Sequence, residues 1–276
     1  MGRAVGLEAS YAFCQKIART RARNFYYSFL LLAREQRAAM CAIYAFMRYC
    51  DDISEGAGAS RVAIEQWRRD LDCALQGRYG ENLLWPAFHD TIQRYRIPRE
   101  YFYDMIAGVS SDLQPRQIET FDELYGYCYQ VASVVGLTII HIFGFESSEA
   151  LALAEKCGIA FQLTNILRDV REDRENGRIY LPLEDIQKFG ADLARHNQPF
   201  VDLMGFEAQR ARKYYDESRP LIALVHPRSR PSLWALIEIY RRLLARIERS
   251  NFHVLDKRIR VPTWEKLSIL ASAALR

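Results

Sequence analysis

Apolar residues recur at helical spacing along most of the chain, whereas the alternating pattern of β-strands is scarce. No Gly/Ser-rich linker, low-complexity tract or short repeat separates the helical segments, and the connections between them are short. The sequence therefore predicts an all-α fold, with a single domain over residues 1–276 and a functional cavity between its helices. The predicted helices cover residues 34–53, 59–76, 86–95, 98–112, 124–145, 149–173, 200–219 and 230–252.

One of these segments raises the question of a membrane span. Residues 124–145 contain no Asp, Glu, Lys or Arg, and the stretch is long enough to cross a bilayer. However, its tyrosines, Gln130, Ser133 and His141 lower its hydrophobicity, and the rest of the chain is rich in charge. Because a helix that is apolar on all sides is buried somewhere, a buried central helix is favoured over a transmembrane span.

Two acidic clusters lie far apart in the chain, and each places two carboxylates four positions apart. Asp51 and Glu55 form the first pair, and Asp169 and Asp173 form the second. Residues at this spacing share one face of a helix, so each pair can point at a single site. Mg²⁺ prefers oxygen ligands and is usually held by one or two carboxylates together with substrate phosphates. The pattern predicts a diphosphate bridged by Mg²⁺ between two facing helices.

The second cluster belongs to a longer polar stripe that also contains Gln162 and Asn165. Most of the neighbouring residues in the sequence are apolar, so the stripe is not a freely solvated face. Buried carboxylates are unfavourable unless they are paired or bound to metal. A salt-bridged exposed face is the alternative, but a mixed amide and acid stripe with a second acidic cluster to face it favours a functional site.

Basic residues accompany both clusters. Arg48 and Arg168 would supply guanidinium donors for phosphate oxygens, although each could equally form an intrahelical salt bridge. A further basic group near the C-terminus, Lys257, Arg258 and Arg260, could close over a diphosphate. The first cluster taken alone could also be a helix cap or a turn, so the inference depends on the pairing of the two clusters.

Composition limits the other classes of function. The net charge of +4 is small and does not indicate a nucleic-acid partner. The six cysteines show no zinc-site spacing and mostly lie in apolar stretches, which favours a reduced, cytoplasmic location. The oligomeric state is left open by the sequence.

Four segments make the chain resemble the squalene/phytoene synthase family of head-to-head prenyl transferases. They are residues 24–29, 42–52, 126–136 and, above all, 162–182, and the resemblance runs from about residue 11 to residue 262. It implies the all-α class I isoprenoid synthase fold with a deep central cavity. It also implies Mg²⁺, with Mn²⁺ as the alternative, between two aspartate-rich motifs.

The resemblance also implies roles for individual residues. The implied metal ligands are Asp51, Glu55, Asn165, Asp169 and Asp173. The implied catalytic residues are Asp51, Asp169, Asp173, Tyr44 and Arg48. The implied substrate-binding residues are Phe25, Phe29, Tyr44, Arg48, Val131, Gln162, Asn165, Arg168, Arg178, Tyr240 and Arg258. Glu55 stands where the family commonly has aspartate, so the geometry of the first metal site is expected to differ.

In this family one allylic diphosphate ionises and the double bond of a second attacks the cation, giving a cyclopropylcarbinyl diphosphate. Phe29 occupies a position that is bulky in members using C15 substrates, and residues 25–29 look like those of bacterial presqualene diphosphate synthases of hopanoid pathways. The expected reaction therefore joins two farnesyl diphosphates into presqualene diphosphate. Phytoene synthesis from two geranylgeranyl diphosphates is the alternative.

Three further points accompany this expectation. NADPH would be needed only if the reaction continued to squalene, and no G-x-G-x-x-G fingerprint is present. Because the products are lipids, peripheral membrane contact at the surface is compatible with a cytoplasmic location. A non-catalytic assembly factor and a chain-elongating prenyl transferase are the competing classes. The two charged clusters oppose the first, and residues 165–173 fit the second poorly.

Overall fold

The structure is a computed structural model that describes residues 6–22, 25–55 and 58–275. It confirms the all-α fold class, and the elements follow one another in this order. They are α1 (Leu7–Arg21), α2 (Phe25–Phe29), α3 (Arg34–Glu55), α4 (Arg61–Ala74), α5 (Leu84–Tyr95), α6 (Glu100–Ser111), β1 (Arg116–Gln117), α7 (Phe121–Cys128), a π-helical turn (Tyr129–Ser133), α8 (Val134–Phe143), α9 (Glu149–Glu175), β2 (Arg178–Ile179), α10 (Leu183–Phe189), α11 (Gln198–Ser218), α12 (Leu221–Leu224), a 3₁₀ turn (Pro227–Ser229), α13 (Arg230–Arg249) and α14 (Thr263–Ala274).

Each helix predicted from periodicity is present, with ends that shift by a few residues. The sequence pattern did not reveal α1, α2, α10, α12 and α14. It also missed the parallel pairing of β1 with β2, in which Arg116 lies opposite Arg178 and Gln117 lies opposite Ile179. Two-residue strands are too short to show alternation, so this pairing depends on tertiary contacts.

An aromatic core holds α3 in place. The ring of Phe46 in α3 stacks on Phe88 with centroids 4.5 Å apart and meets Phe102 edge to face at 5.3 Å. Trp67 and Trp85 continue the cluster, with ring centroids 4.5 Å apart. These contacts join α3 to α4, α5 and α6 and so orient the acidic C-terminal end of α3.

The uncharged segment lies inside the helical assembly. Phe121–Phe143 is long and apolar enough to cross a membrane by length and composition. Its π-helical turn packs between α6 and α9, and α8 packs on α9. This packing is that of a core helix.

Gly158 allows α9 to approach the π-helical turn very closely. A Cβ at this position would lie 2.5 Å from the Ser133 Cα and 2.8 Å from the Ala132 carbonyl oxygen. Because both are backbone atoms, we expect Gly158→Ala to reduce the free energy of unfolding by about 1–3 kcal/mol, measured by urea denaturation. Gly126→Ala in α7 is the control, since its Cβ would meet nothing within 4 Å. An unchanged stability of Gly158→Ala would contradict the close approach.

Candidate active site

A cavity of about 870 Å³ lies between the central helices. Its lining residues on α9 run from Ala154 to Asp173, which at 1.5 Å per residue corresponds to about 28 Å along the helix. Carboxylates and arginines surround one end, and apolar side chains such as Met40 and Leu233 line the remainder. A long cavity with one charged end suits an amphiphile that has a polar head and an apolar tail.

The structure brings the predicted site residues together around this cavity. The described ones that line it are Phe29, Tyr44, Arg48, Asp51, Val131, Gln162, Asn165, Arg168, Asp169, Asp173, Arg178, Tyr240 and Arg258. The side chains of Phe25 and Glu55 lie outside the described part of the structure. The roles of all these residues remain predictions.

The two neighbouring aspartates of the first cluster have different surroundings. Asp51 lines the cavity, and its carboxylate lies 3.8 Å from the Arg48 guanidinium. Asp52 instead accepts hydrogen bonds from Arg48 Nε at 2.8 Å and from Arg21. Asp52 therefore links Arg48 to Arg21 of α1, while Asp51 lines the cavity.

In the second cluster Asp169 is held by two arginines. Arg168 Nε donates to Asp169 Oδ1 at 2.8 Å, and Arg258 reaches both carboxylate oxygens at 3.0 Å. Arg258, which follows α13 in the chain, also pairs with Glu172 at 2.8 Å. Since both arginines line the cavity, the phosphates of a ligand would compete with Asp169 for the same donors.

The donor atoms on α9 fit a hard cation. Asn165 Oδ1 is buried and has no hydrogen-bond partner among the described residues. Within residues 6–22, 25–55 and 58–275, no three His, Cys, Asp or Glu side chains converge on one point. Mg²⁺ commonly takes only one or two carboxylates and completes its shell with water and phosphate. Asp51, Asn165, Asp169 and Asp173 therefore match the donor set of a metal shared with a phosphorylated ligand.

The carboxyl group of Asp173 is a much weaker acid than an ordinary aspartate. Burial, together with the nearby charges of Asp169 and Glu172, raises its pKa from 3.8 to about 7. Because the pKa of Asp173 is higher in the folded than in the unfolded protein, folding favours the protonated form. The contribution of protonated Asp173 to the free energy of unfolding is fully present below about pH 4 and is lost as the pH rises through about 7.

We expect Mg²⁺ binding to weaken as the pH falls below about 7, because protonated Asp173 must lose its proton to become a ligand. Calorimetric titration of Mg²⁺ near pH 6, in buffers of different ionisation enthalpy, measures the released proton. Asp173→Asn should abolish that release, and Asp216→Asn on the exposed face of α11 should preserve it. Equal proton release by wild type and Asp173→Asn would contradict the assignment.

Sequence reasoning missed a polar cluster beside the charged end. Asp112 accepts hydrogen bonds from the hydroxyls of Tyr127 at 2.9 Å and Tyr180 at 2.8 Å, while Arg178 Nη2 donates to the Asp112 carbonyl at 2.9 Å. Burial and the Asp112 charge raise the pKa of both phenols, so both stay protonated. The β1–β2 pairing brings these residues together, and no local sequence pattern predicts that pairing.

Aromatic rings extend from the charged end into the apolar part. Phe161 and Tyr240 stack with centroids 4.2 Å apart, and both line the cavity. Burial raises the pKa of Tyr44 to about 12 and also raises that of Tyr240, so both are neutral at physiological pH. Neutral ring faces of this kind can stabilise a developing cation.

The chain is similar in sequence to known proteins over nearly its whole length. The model of the family described as "Squalene/phytoene synthase" matches residues 18–265. The phytoene synthase of Arthrospira platensis is 38% identical, over 97% of this chain and 93% of that protein. The phytoene synthase of Mycobacterium tuberculosis is 36% identical, over 97% of this chain and 91% of that protein.

Solved structures have the same fold. The crystal structure of a dehydrosqualene synthase in complex with ligand is 29% identical with a TM-score of 0.91, covering 98% of this chain and 96% of that one. The squalene synthase HpnC from Alicyclobacillus acidocaldarius is 28% identical with a TM-score of 0.83, covering 90% of this chain and 97% of that one. The chain belongs to the squalene/phytoene synthase family and has its prenyl transferase fold.

Proposed function

We propose that the protein is a phytoene synthase, which condenses two molecules of geranylgeranyl diphosphate head to head. The observation that carries this proposal is the similarity to phytoene synthases from cyanobacteria, plants and mycobacteria, at 34–38% identity over 97–98% of the chain. The dehydrosqualene and squalene synthases compared above share 28–29%.

This proposal favours C20 substrates over the C15 substrates expected from the segment around Phe29. Phe29 is buried and lines the cavity, as that expectation required. However, a single wall residue does not set the length of a cavity that continues along α9 as far as Ala154.

The charged end would bind and ionise the first substrate. Arg48, Arg168 and Arg258 line the cavity. They would donate hydrogen bonds to diphosphate oxygens and stabilise the negative charge that develops on departure. Asp51, Asn165, Asp169 and Asp173 would hold Mg²⁺, which when bound neutralises part of that charge.

The apolar part would protect the cation that remains. Its side chains exclude water, and the faces of Phe161 and Tyr240 supply negative electrostatic potential. The second substrate would lie alongside, so that its double bond attacks the allylic carbon. This attack with loss of a proton would give a cyclopropylcarbinyl diphosphate. Departure of its remaining diphosphate, rearrangement of the resulting cation and loss of a second proton would give the central double bond of phytoene, so this reaction would need no reductant.

The test is incubation of the purified protein and Mg²⁺ with geranylgeranyl or farnesyl diphosphate, each with and without NADPH, followed by product identification. We expect phytoene from geranylgeranyl diphosphate without reductant. Presqualene diphosphate from farnesyl diphosphate, with no use of the C20 substrate, would establish the C15 reaction instead. Consumption of neither substrate by folded protein would refute the enzymatic proposal.

A further inference from the structure

The C-terminal helix α14 (Thr263–Ala274) buries Ile269, Leu270 and Ala273, but it also buries its charged residues and exposes large apolar ones. Its two charged residues, Glu265 and Lys266, are only 6% and 8% exposed. Trp264 and Leu267 are instead 68% and 52% exposed, and Leu275 at the end of the helix is 90% exposed. A surface helix normally places its charges outward and its apolar residues inward.

The inward charges are satisfied by specific partners. Arg242 donates to Glu265 Oε1 at 3.0 Å, and Arg246 donates to Oε2 at 2.6–2.8 Å. The ammonium group of Lys266 lies over the ring of Tyr27, 5.3 Å from its centroid. This arrangement anchors α14 in one rotational position on α13 and α2, so the outward position of Trp264 is imposed by the fold.

The outward face is a continuous uncharged stripe. Trp264, Leu267, Ala271 and Leu275 follow one another at helical spacing. Every residue of α14 is described, and the exposed ones carry no charge. The exposed charged side chains that directly precede the helix include the basic Lys257 and Arg260, whereas the acidic Glu265 is buried.

We infer that α14 is a docking surface for an anionic lipid bilayer, with Trp264, Leu267 and Leu275 inserted at the membrane interface. Tryptophan is favoured at the boundary between headgroups and acyl chains. A short apolar face flanked by Lys and Arg binds such a boundary by combining apolar burial with attraction to anionic headgroups. Exposed Lys257 and Arg260, which precede the helix, supply that positive charge.

A second copy of the chain is the less favourable occupant. Trp264, Leu267 and Leu275 together expose roughly a few hundred Å² of apolar surface. A stable protein interface buries about 800 Å² on each partner. Insertion into lipid has no such requirement for a matching protein surface.

Docking at this face would place the cavity wall close to the membrane. Helix α14 packs on α2, which ends in Phe29 of the cavity wall. Leu30, the next residue, is also an exposed apolar residue. The link to function rests on the proposed use of lipid-like prenyl diphosphates, whereas the docking surface itself follows from α14 alone.

Flotation of the purified protein with vesicles tests the inference. Vesicles of phosphatidylcholine are compared with vesicles that also contain phosphatidylglycerol, for wild type and for W264S/L267S. We expect wild type to bind the anionic vesicles and the double variant to bind them at least about tenfold more weakly. Val62→Ser in α4 is the control, because Val62 is an equally exposed apolar residue at 70% on another helix.

Tryptophan fluorescence gives a second measurement. Trp67 and Trp85 are buried and Trp234 is half-buried, so the part of the emission blue shift on vesicle addition that W264S/L267S loses would report on Trp264. The inference is overturned if wild type binds neither vesicle, or if W264S/L267S binds as well as wild type. Sedimentation showing a dimer that this variant dissociates, without vesicle binding, would assign the face to a second copy instead. A protein that binds vesicles but consumes no prenyl diphosphate would refute the proposed function and leave the docking surface intact.

Discussion

Asp169→Asn is expected to reduce prenyl diphosphate turnover by about 10²–10³-fold, the loss typical for removal of one preorganised electrostatic group. Asp169 lines the charged end of the cavity and anchors both Arg168 and Arg258. The substitution would therefore remove a predicted metal ligand and misplace two diphosphate donors at once. Single-turnover kinetics at saturating Mg²⁺ measure the effect on the chemical step.

The control for this variant is Asp216→Asn. Asp216 is also paired with an arginine, Arg241 at 3.2 Å, but it lies on the exposed face of α11. Its turnover should match wild type, and both variants should show helical circular dichroism spectra like that of wild type. If folded Asp169→Asn retained full turnover, Asp169 would have no part in the reaction.

Ala154→Leu is expected to lower the ratio of geranylgeranyl to farnesyl diphosphate turnover by about tenfold or more. Ala154 is fully buried and is the lining residue of α9 farthest along the helix from Asp169, at a distance of about 22 Å. A larger side chain there would occupy space that only the longer prenyl chain requires. Small changes in a hydrophobic pocket commonly alter selectivity by about 10–200-fold. Competition between the two substrates in one reaction measures the ratio directly.

Ala208→Leu separates selectivity from stability in this experiment. Ala208 in α11 is buried to a similar degree but does not line the cavity. Both substitutions overpack the core and should reduce the free energy of unfolding by about 1–3 kcal/mol. Only Ala154→Leu should change the substrate ratio, and an unchanged ratio would show that prenyl length is set elsewhere in the cavity.

Local patterns were sufficient for much of the fold. The long helices α3 and α9 were both predicted together with their acidic ends. Just beyond α9, Gly177 adopts the left-handed conformation with φ of 73°, which glycine allows. Helix α14 was not predicted; its buried face contains Glu265 and Lys266, while Trp264 faces solvent. Contacts to α13 and α2 determine which face of α14 is buried, and the sequence of the helix alone does not predict those contacts.

The candidate site was also predicted only in part from the sequence. Spacing placed Asn165, Asp169 and Asp173 on one face of α9, because helical geometry depends only on position in the chain. The cluster of Asp112, Tyr127 and Tyr180 was not predicted as a unit, since its members come from three segments joined by the β1–β2 pairing.

The sequence by itself determined the helical fold class, the two acidic clusters and the family, because these depend on local periodicity and on motifs that survive in order along the chain. Only the tertiary structure decided which carboxylates face the cavity. Asp51 lines it, whereas its neighbour Asp52 is paired with Arg21 and Arg48. It also brought Arg258 onto Asp169 and buried Asp173 enough to raise its pKa to about 7. Ion pairing and desolvation depend on distances between segments, and those distances exist only once the chain has folded.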